Sequence, residues 1–334
     1  MFRVALLSRW HVHSHKNDQR YVKELLAQPD CTVTCVWDRD EQVAKEWAEE
    51  YGVPYSTDLE AVMSREDVDG VIVTSAVNEH KEIYSIAAKY KKHIFTEKAL
   101  SLSLDEAIEM RNMIKESGIK FCIAFTRLSA KQLVYAKKVA ESGEIGDIVS
   151  FRCFCSHAGG IVGFIPEYCY DPAVAGGGAM IDMGFNSLYL ARYIMGDVES
   201  VSSNFSDEIL HKQVEDTAIC SLKFKNKSIG TIESSFCTPS VGVFELAIYG
   251  TKGAYYARFG GNDCALLNVA GKPPRNIPFA ELPEAPLSPV VQWVRACTLG
   301  ESDEMCGIDE AVETVRFMTA AYQSACEEGR RIKI

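Results

Sequence analysis

The first 125 residues constrain this chain most, because short apolar runs alternate there with longer amphipathic ones. "FRVALL", "TVTCVW", "GVIVTS", "HIFTEK" and "KFCIAF" are nearly continuous in apolar or β-branched residues and read as strands. Between them lie helical segments. One runs from about Asp18 to Gln28. "EQVAKEWAEEYG" stops at Gly52, and "NEHKEIYSIAAKYKK" is amphipathic. "SLDEAIEMRNMIKESG" opens with a Ser103–Glu106 capping box and closes on Gly118. Strands that are apolar throughout must be covered on both faces, which demands a parallel sheet with helices on either side. Right-handed crossovers then make residues 1–125 a doubly wound, Rossmann-type α/β domain.

From Asp147 the pattern changes. "DIVSFRCFCSH", "DTAICSLKF", "SIGTIESSF", "VFELAIYG" and "AYYARFG" follow one another as alternating strands. They predict an α+β domain over residues 126–334 with a large, mostly antiparallel open sheet. Helices are expected at Asn186–Met195, Ser288–Leu299 and Asp309–Glu328. The net charge of −11 excludes a nucleic-acid partner and a polybasic membrane surface. No apolar run approaches the length of a membrane span. The chain enters its first strand without a signal-like segment, so a cytoplasmic location is expected. Twelve cysteines, scattered through apolar segments without a C-x-x-C, read as reduced buried thiols.

In such a domain the turn after the first strand cradles a dinucleotide pyrophosphate, usually on glycines. Here it reads Ser8-Arg9-Trp10-His11-Val12-His13, with no glycine. Ser8, Trp10, His11 and His13 are the candidates for the cofactor or pocket mouth; Trp10 either covers a ligand or is an ordinary packed aromatic. Asp38, just past the second strand, suits the adenosine ribose hydroxyls and favours NAD, while Arg39 leaves NADP open. His11, His13 and His15 alternate along the turn. With at most two rings brought together and no carboxylate beside them, no metal site is expected. Glu97 and Lys98 stand at the carboxyl end of the fifth strand, where a lysine near a nicotinamide can handle a substrate hydroxyl proton.

The stretch "VDGVIVTSAVNEHKEIYSIAAKYKKHIFTEKALSLSLDEA" resembles the Gfo/Idh/MocA oxidoreductases, the glucose–fructose oxidoreductase and inositol dehydrogenase group. Val77-Asn78-Glu79-His80, one residue shorter between Asn and His, Lys92-His93-Ile94 and Glu97-Lys98-Ala99 stand for that family's P-N-x-x-H, G-K-H-V and E-K-P. "GEIGDIVSFR", "AGGGAMIDMGFNSLYLARYIMG" and "YGTKGAYY" resemble its second domain, so the likeness covers nearly the whole chain. The resemblance implies that Lys98 is the catalytic lysine and that Asp182 holds substrate hydroxyls. It places Thr74, Asn78, His80, Glu97 and Arg127 around the cofactor, with Asp38 as the ribose acid. It also implies dimers or tetramers through the second-domain sheet.

The family's helix histidine is Asn186, which cannot carry a proton at neutral pH. Asp182 and Asn186 are expected on one helix face. The replacement proton carriers are His157, Tyr168 or Tyr170, and the turn histidines His11 or His13, of which the turn histidines are favoured. The resemblance implies an NAD(P)-dependent oxidoreductase moving a hydride between nicotinamide and a hydroxyl-bearing carbon of a sugar, cyclitol or glycoside. The alternatives are a non-catalytic NAD(P) sensor and a redox-neutral NAD-dependent glycoside-processing enzyme.

Overall fold

The computed structural model describes residues 1–239, 243–260, 263–302 and 306–334. It divides into two compact units. The first comprises Met1–Phe125 with Leu287–Val315, and the second Thr126–Pro286 with Arg316–Ile334.

In the first unit β1 (Phe2–Leu7), β2 (Cys31–Trp37), β3 (Tyr55–Ser56), β4 (Gly70–Val73), β5 (His93–Thr96) and β6 (Phe121–Ile123) form a parallel sheet. Its order is β3-β2-β1-β4-β5-β6, so the strand order reverses between β1 and β4. That switch point is where an open α/β sheet leaves a crevice at its carboxyl edge. Helices α1 (Arg20–Leu26), α2 (Glu41–Tyr51), α3 (Leu59–Met63), α4 (His80–Lys89) and α5 (Leu104–Ser117) connect the strands. Asp40 caps α2, and Ser103 accepts the Glu106 N–H to cap α5, as its sequence predicts. The first helix is shorter than expected. Gln19 precedes it in a left-handed conformation, and the residues before it form a 3₁₀ turn, Val12–Ser14.

A single cut at residue 125 assigns Leu287–Val315 to the second domain, and the structure corrects this. Trp293 is fully buried, with its ring 5.1 Å from Phe2 and 5.9 Å from Phe95. The Cys122 thiol reaches Pro289 O at 3.3 Å. The apolar face of Pro289–Leu299 thus completes the first unit's core.

The second unit is built on a nine-stranded sheet. In chain order it contains β7 (Ile148–Ser156), β8 (Val198–Ser206), β9 (Thr217–Phe224), β10 (Ile229–Ser235), β11 (Val243–Gly250), β12 (Gly253–Phe259), β13 (Cys264–Val269), β14 (Arg275–Asn276) and β15 (Ile332–Lys333). Only the β7–β10 pair is parallel. One face is covered, giving the alternation of buried and exposed residues in β9 and β10. The helix Phe185–Met195 packs there, preceded by a π-helical turn, Met180–Gly184. All twelve cysteines are free thiols. No helix among the described residues is long and apolar enough to cross a membrane.

Candidate active site

Backbone bonds bring the expected cofactor residues to one edge of the first unit. The Ser8 N–H donates to Trp37 O, that of Thr74 to Leu7 O, and that of Glu97 to Val73 O. Ser8, Asp38, Thr74 and Glu97 therefore stand side by side past the ends of β1, β2, β4 and β5. The glycine-free turn is held by side chains instead. The Thr74 hydroxyl donates to Ser8 O at 2.5 Å, and the His11 N–H donates to Thr74 O at 3.0 Å. The Ser14 hydroxyl donates to His11 O at 2.6 Å. Thr74 is nearly inaccessible and acts as this staple. Trp10 stays partly exposed.

Asp38 tests whether this edge fits a dinucleotide. Its carboxylate accepts the Arg9 N–H at 2.8 Å and the Asp40 N–H at 3.0 Å. An ionised carboxylate has about four acceptor sites, so capacity remains for ribose hydroxyls. Arg39 is taken up by Glu79 at 2.5 Å and Glu82 at 2.6 Å. The edge around Asp38 is thus acidic, a character that fits the ribose hydroxyls of NAD better than a 2′-phosphate. Asn78 is exposed in the 3₁₀ turn Val77–Glu79. His80 is fully buried, stacked on Tyr84, with Nδ1 3.0 Å from Leu100 O. Through that contact it holds the loop after Lys98. Burial lowers its pKa to about 4. The Lys98–Ala99 peptide is cis.

Around Glu97 the structure gives what the sequence order hides. Tyr21 and His13 both hydrogen-bond to Glu97 Oε1. His11 Nδ1 lies 3.4 Å from the same oxygen, and the Lys98 N–H donates to Oε2 at 3.0 Å. The expectation that no carboxylate stands beside the turn histidines is corrected: Glu97 reaches them from β5. Its side chain is 2% exposed. Burial, the largest influence, pushes the Glu97 pKa up. The charges of His11 and His13, the His13 hydrogen bond and the Lys98 charge outweigh it and hold the carboxyl well below its usual range. Burial and the neighbouring carboxylate push the Tyr21 hydroxyl well above its ordinary value. His15 lies elsewhere, lining a surface cleft of about 620 Å³ with Arg9, Lys16 and Glu50.

In the second unit Asp182 lies half-exposed in the π-helical turn, next to buried Ile181. Such turns concentrate at functional sites. Asn186 does not present its amide freely beside it: Oδ1 accepts the Tyr189 hydroxyl at 2.9 Å, and Nδ2 donates to Met183 O at 3.3 Å. Tyr189 in turn accepts the Arg127 N–H at 3.2 Å. The Arg127 guanidinium lies over Phe244 and Phe259, at 5.6 and 5.5 Å. His157 follows β7 and stacks on Phe236, with Nδ1 accepting the Gly159 N–H at 3.0 Å. Tyr168 is exposed and lines a cavity of about 400 Å³ with Tyr170, Glu167 and Lys212.

Glu215 is a residue the sequence did not single out. It accepts the Gly178 N–H at 3.0 Å, the Met180 N–H at 2.8 Å and the Tyr322 hydroxyl at 2.7 Å. It thereby fixes the turn that delivers Asp182. A Cβ on Gly178 would lie 1.9 Å from Glu215 O, and one on Gly177 2.0 Å from the Tyr322 hydroxyl. Close approach explains the glycine run. An acidic residue before a strand looks solvated in sequence, so only the fold exposes this role.

The model of an oxidoreductase family with an NAD-binding Rossmann fold matches residues 15–125, and that of the GFO/IDH/MocA C-terminal domain matches residues 133–256. Myo-inositol 2-dehydrogenase of Thermotoga maritima is 30% identical over 241 residues, 68% of this chain and 68% of that protein. The chain belongs to the Gfo/Idh/MocA family. A scyllo-inositol 2-dehydrogenase of Bacillus subtilis is 26% identical over 234 residues, 68% of this chain and 66% of its own. A levoglucosan dehydrogenase structure, in complex with NADH and levoglucosan, superposes with a TM-score of 0.87 at 20% identity. It covers 100% of this chain and 99% of its own, and shares the fold. As a Gfo/Idh/MocA protein the chain is an NAD-dependent oxidoreductase. The family match begins at residue 15, past the Ser8–Ser14 turn that departs from the glycine-rich pattern.

Proposed function

We propose that this enzyme oxidises or reduces a ring carbon bearing a hydroxyl on a cyclitol, sugar or glycoside, with NAD as the redox partner. When bound, NAD accepts or delivers the hydride. Asp38 takes the adenosine ribose. Ser8, Trp10 and the turn backbone, with Thr74 and Asn78, line the rest of the cofactor's path. Lys98 holds the reacting hydroxyl and moves its proton. Asp182 orients neighbouring hydroxyls, and Asn186 shapes its surroundings through Tyr189. His157 and Tyr168 line the substrate side. The turn histidines favoured as proton carriers are engaged with Glu97, so in this reading they set its charge and Lys98 carries the proton.

The observation that carries the reading is a lysine at the carboxyl edge of the parallel sheet, beside a buried carboxylate kept ionised by cationic neighbours. Such tuning belongs to acid–base chemistry. The test is absorbance in the reduced-nicotinamide band when the protein and NAD meet a panel of inositols, aldoses and anhydrosugars. Reduction by at least one member is expected and excludes a non-catalytic sensor. No reduction by the panel, and no oxidation of NADH by the matching ketones, overturns the reading.

A second copy is proposed to cover the open face of the nine-stranded sheet. Ile219, Ile229 and Tyr249 are 47%, 58% and 45% exposed on that face, on strands β9, β10 and β11. Arg152–Glu233 and Arg258–Glu245 pairs lie among them. Ile229→Asp should convert an oligomer to a monomer in sedimentation velocity; a monomeric parent chain overturns this.

A further inference from the structure

We propose that His11, His13 and Glu97 form a binding site for one divalent transition-metal ion of the zinc class. The proposal goes beyond the redox reading and stands or falls independently of it. One ligand atom from each residue, a ring nitrogen from each histidine and a carboxylate oxygen, lies within 4.8 Å of the others. Two imidazoles and a carboxylate are a complete protein ligand set for zinc with a coordination position left open.

The contacts of the two rings point the same way. His11 Nδ1 accepts the His13 backbone N–H at 3.2 Å. The same nitrogen faces the Glu97 carboxylate at 3.4 Å. A cation held between that nitrogen and the carboxylate oxygen would be bound by both. A gap of 3.4 Å is the span of two bonds of about 2.1 Å at a tetrahedral angle. An ion takes over the lone pair that now accepts the His13 N–H. His13, whose Nδ1 contacts the same carboxylate oxygen, would bind the ion through that nitrogen at bonding distance. Tyr21 hydrogen-bonds to the Glu97 carboxylate, an outer-shell partner that orients this ligand.

The ligands sit on fixed elements. Glu97 continues β5 through its bond to Val73 O, and the turn is pinned to Thr74 and Ser14. The His11 and His13 side chains are 13% and 20% exposed, so an ion can enter from solvent. His15, the third histidine of the run, is outside the cluster and serves as a control.

The test uses the full chain, stripped with a chelator and dialysed, then titrated calorimetrically with zinc chloride. One ion per chain is expected. Cobalt(II) in place of zinc should give the visible ligand-field bands of a low-coordinate N/O site. His11→Ala and His13→Ala should each weaken binding about a hundred-fold or more, with folding checked by circular dichroism. His15→Ala should leave it unchanged. Binding below one ion per chain, or binding lost in H15A and retained in H11A and H13A, overturns the proposal. NAD reduction without metal binding would sink this site alone, and metal binding without NAD reduction would sink the redox reading alone.

Discussion

The two units each bury a carboxylate, and they treat it in opposite ways. Glu97, in the nucleotide unit, is surrounded by groups that carry or can carry positive charge and is held ionised. Glu215, in the sheet unit, is met by two backbone N–H groups and a tyrosine hydroxyl, all neutral. Burial raises its pKa, and those donors lower it only part of the way. Neutral donors satisfy hydrogen bonds without repaying the desolvation of an anion, whereas cationic ones do both. The first arrangement keeps an anion at the carboxyl edge of the parallel sheet, where the proposed chemistry lies. The second is a scaffold that aims a turn.

The sharpest way to break this contrast is Lys98→Ala. It should lower kcat by about 10³-fold, within the range of positioned acid–base groups, while NAD binding stays within about threefold. Steady-state kinetics and nucleotide fluorescence titration check it, and retained turnover removes Lys98 from the chemistry.

Glu215→Ala should act on structure instead. It orphans three donors and should cost about 3 kcal/mol in urea unfolding, with KM raised more than kcat is lowered. A kcat loss equal to that of K98A would erase the distinction between the two carboxylates.

His80 gives the nucleotide unit a neutral counterpart. Its folded pKa, about 4, lies below the unfolded value of 6.5, so the unfolded chain takes up the proton first as pH falls. This stability is present above about pH 6.5 and is lost progressively toward pH 4, by about 3 kcal/mol in all. His80→Gln should flatten that limb in urea melts recorded across this range; an unchanged limb assigns it to other groups.

A smaller effect is expected at the ribose edge. Glu79→Gln with Glu82→Gln frees Arg39 and should raise NADP affinity about tenfold relative to NAD. Tyr189→Phe should be smallest, costing about 1 kcal/mol and shifting KM a few-fold through Asn186.

Much of this was legible in the chain itself. Continuous apolar strands spaced by capped helices dictate a doubly wound sheet, because both faces of such strands must be covered. Alternation after Asp147 dictates a sheet with one open face. Asp38 and Lys98 could be placed at strand ends because a parallel sheet puts its crevice there. The return of Leu287–Val315 was not legible, since an amphipathic helix does not state which core it joins, and Trp293 made that choice. Nor was the meeting of Glu97 with His11, His13 and Tyr21, or of Glu215 with Gly178 and Tyr322. Local pattern fixes which residues point inward and where an element ends. Which distant side chains then share one oxygen depends on strand order and crossovers, and only the folded chain supplies those.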